Sequence, residues 1–347
     1  MSKIKHIKAK KAAFISIIIP VERETNFLKE AIYRYSKQTY RNFELLISTT
    51  ETFETKYKFA RIITDKKIST DVSAKRNKIL KFGKGEIFIF NDDDVFVPSK
   101  YLKNVIKIMN KKNVLAACGP LLTPLSDDTM QKASGAVWES YMGSLGAGIH
   151  RSRKLKARTI YDFPAANLIV RGDIFKKIGG FEKKLYPGED TKLCLLILNQ
   201  FKKGIYYDPR LSVYHHRKAL FIPHLKQIGR YGSQRGWFSL AYPETSFQLQ
   251  YFFPTIFLLY LVILFLGSFL LYFFKINRPN FYRLVFLPLF VYSLLLLFEG
   301  VNIARKKNLL VSILAVIGII LTHLYYGWKF LKSFVKKFFL KLFSFLE

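Results

Sequence analysis

The sequence predicts an α/β domain followed by C-terminal transmembrane helices. Apolar runs too short for helices alternate with charged stretches up to about residue 248, and one of these runs ends in three consecutive carboxylates. Beyond 248, long segments without charge take over.

The first run, Ile15-Ser-Ile-Ile-Ile-Pro20, reads as a buried strand stopped by a proline, which has no N–H to give to a ladder. Residues 26–37 then place Leu28, Ile32 and Tyr35 on one helical face, and 43–48 are again strand-like. Strand, helix, strand in so short a span is a βαβ unit, whose crossover is right-handed. Ile62-Ile63 is expected as a third strand and 73–82 as a helix, and Ile87-Phe88-Ile89-Phe90 completes a sheet of the nucleotide-binding type.

Asp92, Asp93 and Asp94 follow that last strand. The carboxyl edge of an open α/β sheet is where ligands bind, and adjacent carboxylates repel unless a proton or cation lies between them. Oxygen ligands of this kind suit Mg²⁺ or Mn²⁺, completed by substrate phosphates. A solvated turn leading to Pro98 is the alternative reading of an Asp triplet taken alone.

Three membrane spans are expected. Residues 251–274 and 309–328 are each long enough to cross a bilayer, whereas 284–298, extended by Phe281 and Tyr282, is short enough to be re-entrant instead. The apolar run 14–20 is too short for a signal peptide, so the N-terminal domain is expected in the cytosol and the chain in the cell membrane as a multi-pass protein. The expected division is a basic segment 1–13, a catalytic domain 14–220, an interfacial amphipathic region 221–248, two to three spans in 249–328 and a basic amphipathic tail 329–347.

Lys and Arg number 56 against 24 Asp and Glu, a net charge of +32. The basic residues cluster beside the spans, at Arg305-Lys306-Lys307 and in the tail, so anionic lipid is the expected partner and nucleic acid is not. Cys118 and Cys194 have neither disulfide nor metal spacing and are expected to be reduced core residues.

With these pieces placed, the chain resembles glycosyltransferase family 2, with the Rossmann-like mixed sheet called GT-A. The resemblance runs through Ser16-Ile-Ile-Ile-Pro20-Val, Gln38-Thr-Tyr-Arg-Asn-Phe-Glu-Leu-Leu, Lys75-Arg-Asn77, Gly85-Glu to Asp94, Asn167-Leu-Ile-Val-Arg171, Gly179-Gly-Phe181, Gly188-Glu-Asp190 and Tyr207-Asp-Pro to His216, in the family's order. It implies an inverting, metal-dependent transfer of a sugar from a nucleotide-diphosphate sugar to a lipid-linked or cell-surface glycan acceptor. Asp92 and Asp94 then match the Asp-X-Asp motif, with Asp94 on Mn²⁺ or Mg²⁺ and Asp92 on the metal or ribose. His216, or else His215, is a further metal ligand, with His216 preferred. Pro20, Glu22, Thr49, Lys75, Arg76, Asn77 and Asp93 would line the nucleotide. Asp190 would be the general base, with Glu189 beside it at a helix N-terminus, where negative charge is favoured.

Asn167 falls where the family lines the sugar and acceptor pocket, and Trp138 opens a Gly- and Arg-rich stretch, 138–158, that reads either as a mobile acceptor-side lid or as a plain solvated loop. Gln227-Ile-Gly-Arg230-Tyr231 resembles a Gln-X-X-Arg-Trp signature with Tyr in place of Trp, which argues against a polymer synthase. Ser48-Thr-Thr-Glu51-Thr and Glu22-Arg-Glu24 depart from the family's acidic and Asn-rich segments, so base binding would rest on Glu22, Thr49 or backbone groups. Two other readings stay open: a polyprenyl-phosphate sugar synthase, and an inactive membrane-bound binding protein.

Overall fold

The computed structural model describes residues 13–65, 71–183, 185–275 and 279–343, so nearly all of the expected basic segment 1–13 lies outside the described residues. Two compact units emerge: Met1–Leu122 with Arg153–His216, and Thr123–Ser152 with Arg217–Glu347. The stretch expected as one domain, 14–220, is therefore interrupted. Residues 123–152 leave it and join the C-terminal helices.

In the first unit the chain runs β1 (Ile15–Pro20), α1 (Asn26–Ser36), β2 (Phe43–Thr49), β3 (Ala60–Thr64), α2 (Val72–Ile79), β4 (Ile87–Asn91), β5 (Val95–Phe96), α3 (Tyr101–Met109), β6 (Ala116–Cys118) and β7 (Leu121–Leu122). After α4 (Thr129–Glu139), α5 (Tyr141–Ser144) and α6 (Ile149–Ser152) of the second unit, it returns through β8 (Arg158–Ile160), β9 (Asn167–Arg171), α7 (Gly172–Ile178), α8 (Glu189–Phe201), β10 (Ile205–Tyr207) and β11 (Val213–His215). An eight-stranded sheet has the order β3-β2-β1-β4-β9-β6-β10-β8, and a small sheet has the order β5-β11-β7.

Strands β1 to β4 are parallel neighbours, whereas β9 runs antiparallel to both β4 and β6. All six residues of β1 are buried, which its unbroken apolar run requires of a central strand covered on both faces. Each of its isoleucines contributes on the order of 1.5–3 kcal/mol by leaving water. Both cysteines are buried and neither is in a disulfide, as expected.

The second unit continues through α9 (Ile222–Ala241), α10 (Pro243–Ser246), α11 (Leu249–Phe273), α12 (Pro279–Lys306) and α13 (Leu309–Phe343). Helices at Leu249–Phe273, Tyr282–Lys306 and Leu309–Phe343 are long and apolar enough to cross a membrane. The middle segment thus belongs to a helix that is long and apolar enough to cross, by length and composition. The basic tail is not a separate element over the described residues, because α13 runs unbroken from the third apolar segment to Phe343.

Helix α9 was expected to lie on the lipid surface, but much of it is buried against α13. Gly229, Gly232 and Gly236, three and four residues apart, form one face. A Cβ on them would come within 2.5 Å of the Tyr325 ring, 2.8 Å of the Tyr326 carbonyl and 2.3 Å of the Phe330 carbonyl. Gly327 likewise lets α13 approach the Pro254 carbonyl of α11, where its Cβ would meet oxygen at 2.4 Å, and Thr255 Oγ1 donates to the Gly327 carbonyl at 3.0 Å. Close approach at small residues is the way helices associate in lipid, where apolar burial gives little drive.

Candidate functional site

Strand β4 ends at Asn91, so Asp92, Asp93 and Asp94 follow at its carboxyl edge. The group that organises them comes from α2. Arg76, 3% exposed, donates from one terminal nitrogen to Asp92 Oδ1 at 2.9 Å and from the other to Glu189 Oε1 at 2.7 Å, with its guanidinium 5.3 Å from the centre of the Phe181 ring. Burial opposes its charge, and the fields of Asp92, Glu189 and Asp190 more than offset that, so its pKa is raised. Its Nε is buried with no hydrogen-bond partner among the described residues. One cation therefore fastens the acidic turn after β4 to the first turn of α8.

That turn begins at Gly188, whose φ of +126° admits glycine far more readily than other residues. Glu189 is buried, and both its oxygens are engaged, Oε1 by Arg76 and Oε2 by the Gly188 N–H at 3.0 Å. Burial and the neighbouring Asp190 push its pKa up to about 7 against the pull of Arg76. Asp190 is partly exposed, and its Oδ1 accepts the Thr191 N–H at 2.7 Å while Oδ2 lies 3.4 Å from the Ala165 N–H. Asp190 is the more exposed of the two carboxylates, whereas Glu189 is occupied in holding Arg76.

The two histidines take different paths. Antiparallel pairing of β11 with β5 sets His215 opposite Val95, the residue after Asp94, and side chains alternate along a strand. His215 Nε2 lies 3.1 Å from Asp94 Oδ1, whereas His216 turns the other way, 3.2 Å from Glu30 Oε2 and stacked on Phe27 at 4.6 Å. The preference for His216 beside the aspartates is thus reversed: His215 is the one that meets Asp94.

No cluster of three or more His, Cys, Asp or Glu suited to a metal stands among the described residues. Asp94 and His215 nevertheless give one carboxylate and one imidazole in contact, the latter with a buried Nδ1 that has no described partner. This pair fits a divalent cation that takes its other ligands from phosphate oxygens and water, with the imidazole favouring Mn²⁺.

Other expected residues divide between the cleft and the scaffold. Lys75, buried, gives its Nζ to the Val21 carbonyl just past Pro20, at 3.1 Å. Thr49 Oγ1 donates to the Glu22 carbonyl at 2.8 Å, which fixes the turn after β1 while the Glu22 side chain stays exposed. Asp93 accepts from Thr25 Oγ1 at 3.1 Å, and the same hydroxyl caps α1, a link that the sequence reading did not foresee. Asn77 was expected on the nucleotide, but its amide is spent on both backbone groups of Phe181, at 2.6 and 2.8 Å.

Asn167 was expected to line the acceptor pocket. Instead it is wholly buried, donating to the Gly119 and Leu211 carbonyls at 2.8 Å each and accepting from Tyr101 at 2.6 Å, so it pins loops together. Trp138 lies in the second unit on α4, its ring edge-on to Tyr231 at 5.8 Å. Within the expected lid 138–158, the end of α4 and the short helices α5 and α6 are regular, and the stretch 123–152 belongs to the second unit.

Known proteins share this fold. The family model described as glycosyl transferase family 2 matches residues 16–179. The chain is similar to a dolichyl N-acetyl-α-D-glucosaminyl phosphate 3-β-D-2,3-diacetamido-2,3-dideoxy-β-D-glucuronosyltransferase of Methanococcus voltae, 21% identical over 93% of this chain and 98% of that one. An uncharacterised glycosyltransferase of Rickettsia typhi is 28% identical over 57% of this chain and 62% of its own length. Among solved structures, a mannosyltransferase of Pyrobaculum calidifontis in complex with GDP-Man and Mn²⁺ superposes with a TM-score of 0.51 at 13% identity, over 95% of this chain and 88% of that one. Residues 16–179 thus carry a glycosyl transferase family 2 domain with a GT-A-like sheet, and three helices of membrane-spanning length come after it in the chain.

Proposed function

We propose that the chain transfers one sugar, with inversion, from a nucleotide-diphosphate sugar to a lipid-linked acceptor at the cytosolic face of the membrane. The observation that supports this reading most is Arg76, which brings the acidic edge of β4 and the first turn of α8 to a single cleft. The nucleotide would lie along the turns after β1 and β2, at Pro20, Glu22 and Thr49. Asp94 and His215 would hold a divalent ion, which when bound neutralises charge on the leaving diphosphate. Asp190 takes the proton from the acceptor hydroxyl as that oxygen attacks the anomeric carbon from the face opposite the diphosphate. Glu189 and Asp92 keep Arg76 in place, so that a fixed positive charge stands where negative charge develops.

The acceptor class is supported by the Methanococcus voltae relative, whose name specifies a dolichyl phosphate-linked sugar as its acceptor. Membranes containing the protein, incubated with labelled nucleotide sugars, Mn²⁺ and extracted lipids, test the reading. A lengthened lipid-linked glycan is expected. An acid-labile lipid bearing a single sugar would point to a polyprenyl-phosphate sugar synthase instead, and incorporation from no donor would refute the reading.

A further inference from the structure

We infer that the helical unit holds a site of its own for a single-chain lipid phosphate: a cationic, aromatic chamber for the phosphate that opens into an apolar groove for the chain. The inference rests on the lipid-linked acceptor proposed above and assigns to it residues outside the nucleotide-sugar cleft.

The chamber is walled by Trp138, Tyr231, Arg151, Arg235, Tyr251 and Tyr326, among others. Arg235 is almost fully buried and oriented by Ser246 Oγ at 3.0 Å, the Thr245 carbonyl at 3.3 Å and the face of Tyr251 at 4.7 Å. Its guanidinium is therefore positioned before any ligand arrives. The Tyr326 hydroxyl is buried and has no hydrogen-bond partner among the described residues. A buried donor left in this state calls for an acceptor, and a phosphate oxygen supplies one. No Asp or Glu is among the described residues that line the chamber.

Leu145, Pro254 and His323 line both this chamber and a second space, of about 490 Å³, that runs between α11 and α12. That volume falls within the roughly 300–1,000 Å³ common to ligand sites. Its walls, chiefly Phe253, Phe257, Leu287, Val291 and Leu295, offer almost nothing polar. His323 stands at the junction as a neutral strut: its Nε2–H donates to the Met142 carbonyl at 2.8 Å, which leaves Nδ1 to accept from Tyr292 OH at 2.9 Å. A charged chamber joined to one apolar track between membrane helices matches a phosphate on one long chain. It does not match a free sugar, which has no tail, or a phospholipid, whose two chains need two tracks.

Full-length protein in detergent micelles, titrated with farnesyl phosphate, farnesol, inorganic phosphate and phosphatidylglycerol, tests this. Farnesyl phosphate should bind about tenfold or more tightly than farnesol or inorganic phosphate, the ratio expected for charge-assisted hydrogen bonds. Phosphatidylglycerol should not displace it at equal concentration. Arg151→Gln should weaken farnesyl phosphate about tenfold and Tyr326→Phe several-fold, with melting temperature and nucleotide-sugar affinity as checks on folding. Equal binding of farnesol, displacement by phosphatidylglycerol, or wild-type affinity in both variants overturns the inference. If farnesyl phosphate binds as described yet no donor sugar is ever transferred, the functional proposal fails and the site stands. If transfer proceeds while farnesyl phosphate does not bind, the site fails alone.

Discussion

One buried cluster in each unit shows a different way of burying polar groups. In the sheet unit, the cluster beside β4 is ionic: Arg76, nearly inaccessible, is flanked by Asp92 and Glu189. In the helical unit, buried histidines make neutral bonds, His224 to Ser134 Oγ at 2.8 Å and to Thr322 Oγ1 at 3.0 Å, while glycines let helices close on one another. The contrast follows from purpose and solvent. A buried ion pair adds little net stability over an apolar pair, so its presence beside the ligand-binding edge of a sheet points to chemistry. In the helical unit, neutral hydrogen bonds and small residues join α4 and α9 to α13, a helix of membrane-spanning length, and these are the means of association that lipid leaves.

This contrast can be broken at its charged end first. Asp190→Asn should lower transfer by about 10² to 10⁴ with donor binding intact, the loss typical of a positioned base, and full turnover in that variant would remove Asp190 from the mechanism. Next, His215→Ala should raise the Mn²⁺ concentration for half-maximal activity by roughly 10- to 100-fold, the range seen when groups that orient a metal site are lost. His216→Ala should shift it much less. Equal shifts would erase the distinction drawn from the strand register.

The neutral end offers a pH test. Burial, helped by the charge of Arg217, pushes the pKa of His224 down to about 4 from 6.5. A depressed histidine adds stability at pH above 6.5, and this is lost as pH falls towards 4, because the unfolded chain takes up a proton that the folded chain refuses. The melting temperature of the full chain should therefore fall across that window by the equivalent of roughly 3 kcal/mol. His224→Gln should flatten the fall, and an unchanged slope would show that His224 is not its source. The smallest effect expected is for Gly236→Ala, whose new Cβ would meet the Phe330 carbonyl at 2.3 Å. Overpacking of this kind costs about 1–3 kcal/mol, and wild-type melting would mean that the α9–α13 seam yields easily.

The same contrast explains what could be read from the sequence. Strands β1, β2 and β4 announce themselves because covered parallel strands are continuous apolar runs, and the aspartates after β4 follow from chain order alone. Which of His215 and His216 faces Asp94 depends on a two-residue pairing with β5, and no local pattern encodes that register. Asn77 and Asn167 matched motifs faithfully, yet their amides hold backbone groups, because a motif records residue type and not direction. In the helical unit the spans were legible from length. The glycine seam of α9 lay within a segment whose apolar and basic spacing suggested a lipid surface, and the partnership of 123–152 with distant helices leaves no periodic trace.

That partnership bears on attempts to obtain a water-soluble catalyst by cutting the chain before α11. Val137 of α4 and Leu220 pack at Gly318 of α13, in an apolar cluster that also includes Ala133, Ala136, Val311, Ala315 and Ile319. A fragment ending near residue 248 would keep α4 while discarding the helix that covers it, and would present a greasy stripe to the buffer. Replacing that cover, rather than trimming it away, is the sounder route to a soluble enzyme.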